Sequence, residues 1–184
     1  MNVQEIMVRD VATCNPGTNL AEAASLMWRY DCGLLPVVDS DNRVLGTITD
    51  RDICIAAGTR NVAPSEIRVG EVVSHDAHCC EPADDLANAL EEMRRERVRR
   101  LPVTDDDGHL VGILSLTDVI KHASEAKHGQ QPAVTYAGAV DTLKAITTPA
   151  QPMDAAGTNN AGIAGNEHPT SYNNITVGRR DFDE

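Results

Sequence analysis

The chain contains itself twice. Shifted by 66 residues, Val3–Ile53 falls on Val69–Val119 without a gap, and 17 of the 51 positions are identical. Unrelated segments of ordinary composition would share roughly three. Pro16 meets Pro82, Leu20 meets Leu86, Leu35-Pro36-Val37 meets Leu101-Pro102-Val103, Gly46 meets Gly112 and Asp52 meets Asp118. A period of this length means one supersecondary unit built twice, so the architecture follows from what a single unit can and cannot do alone.

Each copy reads the same way. A short extended piece (Asp10–Asn15; Asp76–Glu81) runs into a proline, which disfavours helix at the residue before it. Thr18 and Asp84–Asp85 are candidate N-caps. Leu20, Ala23, Ala24 and Met27, and in the second copy Leu86, Ala89, Leu90 and Met93, then recur at helical spacing. Leu34–Val38 and Arg100–Thr104 read as strands, Asp39–Asn42 and Asp105–Gly108 as turns, and Arg43–Thr49 and His109–Ser115 as return strands. Second helices follow from about Asp50 and Thr117. The unit is β-α-β-β-α, about 50 residues, too small to bury a comfortable core by itself. Two units packed sheet to sheet about a pseudo-two-fold axis solve that. The class is therefore α/β (α+β), with repeat 1 over 1–62, repeat 2 over 63–124 and a low-complexity C-terminal tail over 125–184.

Aromatic residues are 3% of the chain while hydrophobic residues are 41%, so burial rests on Val, Ile, Leu, Met and Ala. A net charge of −12 excludes general binding to a phosphate backbone, so no nucleic-acid partner is expected. Any phosphate needs a local cluster of bases. The N-terminus carries Glu5 and Asp10 and lacks an apolar run, and no stretch reaches the roughly 18 apolar residues of a membrane span. The expectation is a cytoplasmic protein with no membrane partner, whose five cysteines (Cys14, Cys32, Cys54, Cys79, Cys80) are reduced, buried, small hydrophobes.

The tandem pattern Leu-Pro-Val-(Val/Thr)-Asp, an acidic turn, then Gly-x-(Ile/Leu)-(Thr/Ser)-x-x-Asp resembles a CBS-domain pair, or Bateman module, over roughly Val3 to His122. The resemblance implies a regulatory module that binds adenosine nucleotides (AMP, ADP, ATP, NAD or S-adenosylmethionine) in clefts between the repeats, a homodimer, and signalling in trans to an effector protein. The chemistry of the residues is compatible with this. Thr49 and Ser115 sit where a helix N-terminus favours a phosphate, beside Asp50, Arg51 and Thr117. Asp52 and Asp118, one step inside each helix, can accept hydrogen bonds from both ribose hydroxyls. Taken alone, the same residues are ordinary caps and first-turn acids. The resemblance further implies an adenine face formed by Leu34 and Pro36 in one cleft and by Leu101 and Pro102 in the other. Asn15 and Glu81 would close the opposite repeat's cleft.

The copies differ where the first has Cys32-Gly33-Leu34 and the second has Val98-Arg99-Arg100. Arg94, Arg95 and Arg97 read as a solvated helix face paired with Glu91, Glu92 and Glu96. Arg99 and Arg100 open a strand at a cleft and suit phosphate. The Ser115/Asp118 cleft is therefore expected to take the more phosphorylated ligand.

Other chemistries are weaker. Ser74–Glu81 holds two imidazoles and two thiols, but no second ligand pair accompanies them, so no metal is expected. No nucleophile–base–orienter set recurs, so the chain is read as a non-enzyme. The alternative to a sensor is a structural or oligomerisation module with empty clefts. In the tail, Ala133–Thr147 has the makings of one weak helix and Gly157–Asn174 reads as flexible.

Overall fold

A computed structural model describes residues 1–73, 77–124 and 134–148. The chain divides into two units at Thr148/Pro149, and the described residues belong to the first. The expectations for Ser74, His75, Asp76 and for Gly157–Asn174 lie outside the described residues.

Each repeat is built on a two-stranded antiparallel hairpin. Strand β1 (Leu34–Val38) pairs with β2 (Val44–Thr49), and β3 (Arg100–Thr104) with β4 (Leu110–Ser115). The registers are the same: Leu34 faces Thr49 as Arg100 faces Ser115, and Val37 faces Gly46 as Val103 faces Gly112. The turns are closed by one carboxylate each. Asp39 Oδ1 accepts from the Asp41 and Arg43 amides at 2.9 and 2.8 Å, and Asp105 Oδ1 from Asp107 and His109 at 3.1 and 2.8 Å. Both turns place one residue in the left-handed region, Asn42 (φ 65°) and Gly108 (φ 83°), the residue types that tolerate it. Among the described residues the expected leading strands are present as single parallel bridges, Cys14 to Val37 and Cys80 to Val103.

Helices α1 (Leu20–Arg29) and α2 (Asp50–Thr59) cover the first hairpin, and α3 (Leu86–Glu96) and α4 (Leu116–His122) the second. Asn19, not Thr18, caps α1: its side chain accepts from Glu22 N at 2.9 Å. Thr18 is buried and its hydroxyl receives the Asn15 amide instead, just as Asp84 receives the Glu81 amide. The residues read as helix caps thus close the preceding turn. Asp85 occupies the N-cap of α3 without a side-chain bond. At the far ends, Asp31 and Arg97 take left-handed φ values of 49° and 55° and return the chain to its strand.

The two cores are completed by exchange. The first repeat packs Leu20, Ala23, Met27, Leu35, Val37, Ile48 and Ile53 together with Ile67 and Val69, which open the second repeat in sequence. The second packs Leu86, Ala89, Leu90, Met93, Leu101, Val103 and Leu114 with Val3 and Met7, which open the first. Backbone hydrogen bonds repeat this swap symmetrically. Val3 N donates to Asp84 O and Val69 N to Thr18 O, Gln4 N to Pro82 O and Gly70 N to Pro16 O, Leu86 N to Met1 O and Leu20 N to Ile67 O. The two hairpin turns meet as well, through Val44 N to Gly108 O at 3.1 Å and Leu110 N to Asn42 O at 2.9 Å. Each pair of bonds is related by the 66-residue shift, so the pseudo-two-fold axis is visible bond by bond.

A fifth helix, α5 (Tyr136–Thr147), lies within the stretch read as a weak helix and joins the second core. It is capped by Thr135, packs on α3 and α4, and buries Ala139 and Thr142. Thr142 Oγ1 accepts from Arg94 Nη2 at 3.2 Å. One of the five arginines of the α3 end is therefore committed to holding α5. Cys14 and Cys80 are buried as expected, but Cys54 is exposed on α2, because it falls outside the buried Ile53/Ala56 stripe.

Candidate functional site

Strand β2 ends and α2 begins at one residue, Thr49. Its hydroxyl accepts from Asp52 N at 3.2 Å, while the Asp52 carboxylate accepts from Thr49 N at 2.9 Å and from Thr49 Oγ1 at 2.6 Å. At the equivalent junction Asp118 N donates to Ser115 Oγ at 3.2 Å and the Ser115 hydroxyl donates to Asp118 Oδ2. These reciprocal contacts satisfy one first-turn donor in each helix and spend one oxygen of each carboxylate. Among the described residues the second oxygen of Asp52 accepts no hydrogen bond, and that of Asp118 has only Lys121 Nζ at 3.5 Å. Both aspartates are half-buried.

A cavity of about 580 Å³ lies beside the first junction. It is lined by Ala24, Met27, Trp28, Asp31, Cys32, Gly33, Asp50 and Ile53 of the first repeat and by Arg99 and Arg100 of the second. Its size falls within the roughly 300–1,000 Å³ of small-molecule pockets. Helix α1 ends at its rim through the left-handed Asp31, and Gly33 then passes close under Asp50. A Cβ on Gly33 would lie 3.1 Å from Asp50 Oδ2, so a side chain there would press on the carboxylate. The lining thus combines two arginines of the second repeat with two aspartates of the first.

This arrangement regroups the residues singled out in the sequence. Arg99 and Arg100 meet Gly33 and Asp50 of the other repeat in one cavity, whereas Ser115, Thr117 and Asp118 do not line it. Leu101 is fully buried in the second core, as its repeat counterpart Leu35 is in the first. Alternation along the strand then puts Leu34 with Pro36, and Arg100 with Pro102, on the opposite face. The 66-residue register carried that signal, since Leu34 aligns with Arg100 rather than with Leu101. Asn15 is turned back on its own turn, with its side chain accepting from Gly17 N and Thr18 N at 2.8 and 3.1 Å. Glu81 lines a separate cavity of about 410 Å³ with Gln4 and Asp105, Asp106 and Asp107, a wall of one charge sign that opposes phosphate. Arg51 is exposed at the start of α2, its amide on Asp50 Oδ1 at 2.7 Å. Trp28, Asp31 and Cys32 were not singled out. Trp28 is 90% exposed, and its place outside the buried Leu20/Ala23/Met27 stripe was the available signal.

Arg94 and Arg95 pair with Glu91 and Glu92 at (i, i+3) rather than (i, i+4) spacing, but Arg94 is half-buried against α5 and, among the described residues, Arg97 makes no ion pair. No helix among the described residues is long and apolar enough to cross a membrane.

A twofold β-hairpin unit with exchanged leading segments and a cleft across the repeat boundary defines a tandem CBS pair. The chain belongs to that family: the CBS domain model matches residues 3–58 and 69–125. Inosine-5'-monophosphate dehydrogenase of Methanocaldococcus jannaschii is 34% identical over 117 residues, covering 64% of this chain but 22% of that enzyme. CBS domain-containing protein YhcV of Bacillus subtilis is 36% identical over 118 residues, 64% of this chain and 82% of the relative. Among solved structures, the CBS-domain containing protein ATU1752 from Agrobacterium tumefaciens has a TM-score of 0.60 at 30% identity, covering 66% of this chain and 98% of that one. CBSX2 in complex with AMP shares the fold, with a TM-score of 0.59 at 23% identity over 65% of this chain and 93% of that one.

Proposed function

We propose that the chain is a non-catalytic regulatory module that binds an adenosine nucleotide in the cavity between its repeats and passes the signal in trans to an effector protein. The observation that carries this reading is the pair Arg99 and Arg100, which line, from the second repeat, a cavity whose other wall belongs to the first. Guanidinium forks bind phosphate oxygens in pairs, and a ligand spanning both walls alters how the repeats sit together. That a protein of the same fold is in complex with AMP supports a cavity of this type accepting such a ligand. Asp31 and Asp50 limit the charge: phosphates beyond those the two arginines neutralise meet carboxylates, so AMP or ADP is preferred to metal-free ATP. NAD and S-adenosylmethionine complete the ligand set to be compared. The family resemblance adds a homodimer to the proposal.

The competing reading is a structural module with an empty cleft. It is favoured by the Asp52 and Asp118 carboxylates, each of which has an oxygen committed to a helix cap. Thermal shift separates the two. Ligand at 100-fold over its dissociation constant should stabilise the fold by roughly 2.7 kcal/mol. Arg99→Ala with Arg100→Ala should abolish that response while leaving the unliganded melting point nearly unchanged, since Arg99 is exposed and Arg100 half-buried. No response to any of the five ligands defeats the sensor reading, and an unchanged response in the double variant defeats the site.

A further inference from the structure

Away from the cleft, the segment that leads into the second repeat carries His78 onto helix α3. His78 Nε2 lies 3.2 Å from Glu96 Oε2 and Nδ1 lies 3.7 Å from Glu92 Oε1. One ligand atom from each of the three residues can be chosen so that all lie within 4.8 Å of one another, and all three residues are half-buried. Glu92 and Glu96 are one helical turn apart, so the face of α3 presents both carboxylates side by side.

Only an imidazolium, with two N–H donors, would match both carboxylates unaided. In its neutral form the ring has one N–H and one lone pair, so one ring nitrogen meets a carboxylate oxygen lone pair to lone pair. Among the described residues the other cation in contact is Arg95, whose guanidinium holds the outer oxygens, Nη2 on Glu92 Oε2 and Nε on Glu96 Oε1 at 2.7 Å. Arg95 is 64% exposed, and exposed ion pairs of this kind are weak enough to be displaced. The inner oxygens remain turned toward the imidazole.

We propose that His78, Glu92 and Glu96 bind a divalent transition ion of the zinc class, with water completing the shell. One nitrogen and two carboxylate oxygens form a mixed N/O donor set that suits such an ion. No thiol belongs to this cluster among the described residues: the Cys79 Sγ donates to Ala77 O at 3.5 Å, and Cys80 is buried in the second core. The ion ties the leading segment of the second repeat, which continues into the Cys80–Val103 bridge, to the helix on which α5 also packs.

The test titrates zinc chloride into the full chain, stripped with chelator and free of any affinity tag, by calorimetry, with circular dichroism to monitor folding. The wild-type chain should saturate at one equivalent. Glu92→Gln with Glu96→Gln, and separately His78→Gln, should weaken binding at least about ten-fold, while Cys79→Ser should match the wild type. If His78→Gln fails to fold, the glutamine pair on the surface of α3 decides alone. Absence of binding in the wild type, binding unchanged in the glutamine pair, or loss in Cys79→Ser overturns the proposal.

Discussion

Replacing Gly112 by alanine tests the exchange of leading segments directly. Gly112 lies in β4, opposite Val103, and its φ is not in the left-handed region, so alanine is tolerated by the backbone itself. The obstacle is the N-terminal segment. A Cβ at this position would lie 2.9 Å from Val8 O, 2.8 Å from Met7 Sδ and 3.2 Å from Met7 Cγ. The Met7 side chain can rotate away, but Val8 O is held by Ile113 N at 2.8 Å, and Val8 N donates back to Ile113 O at 2.9 Å. Relaxing the carbonyl contact to an ordinary 3.4 Å requires the segment to retreat by 0.5 Å (3.4 − 2.9), which stretches both bonds. Overpacking of this kind costs about 1–3 kcal/mol, and the reduced freedom of the unfolded chain returns roughly 0.4–1 kcal/mol. The net loss should be about 1–2 kcal/mol, read as a lower midpoint in urea with an unchanged slope. Amide exchange at Val8 and Ile113 should quicken more than at Leu35 or Ile48 in the first hairpin. A variant within about 0.5 kcal/mol of the wild type, the range of an inert surface change, would refute the reasoning.

Thr49→Ala and Ser115→Ala each remove a helix cap and should cost about 1 kcal/mol in chemical denaturation; equal stability would show the caps to be decorative. Burial pushes the Cys14 thiol up to about 11, with Glu22 adding to the shift, and the Cys80 thiol up to about 12, with Asp84 among the contributing charges. Both folded values exceed the ordinary 9.0, so the folded chain holds more protons above that pH. Stability should be fully present below pH 9 and fall as pH rises toward 11 and 12, and Cys14→Ala with Cys80→Ala should flatten that slope. A thiol reagent at pH 8 should label exposed Cys54 first and reach Cys14 and Cys80 only on unfolding, as mass mapping would reveal.

The hairpins were legible because their signals are local: a short apolar run in Leu34–Val38, an aspartate at each turn, and a glycine or asparagine where φ turns positive. Helices α1 and α3 were legible from their apolar spacing, but the cap of α1 was placed one residue early. Thr18 and Asn19 are both good caps, and only the packing of the Asn15 turn decides between them. The destinations of Val3 and Val69 were not legible. Each is a short apolar anchor whose partner lies some 80 residues downstream (Val3 to Asp84) or some 50 upstream (Val69 to Thr18), and no local period encodes such a pairing. For the same reason the sequence identified Arg99, Arg100, Gly33 and Asp50 but not their meeting in one cavity. Trp28 escaped because an exposed aromatic looks like surface until the wall beside it is known.

The exchanged segments carry a consequence for how the module could be cut. A break in the connection near Asn61 would leave one fragment holding Val3 and Met7, which the other fragment's core needs, and a second holding Ile67 and Val69, which the first one's core needs. Neither half closes a core alone, yet each carries the missing piece of its partner. The fold is thus a natural split protein, two fragments that assemble only with each other, and the peptide link between the repeats serves chiefly to keep their effective concentration high.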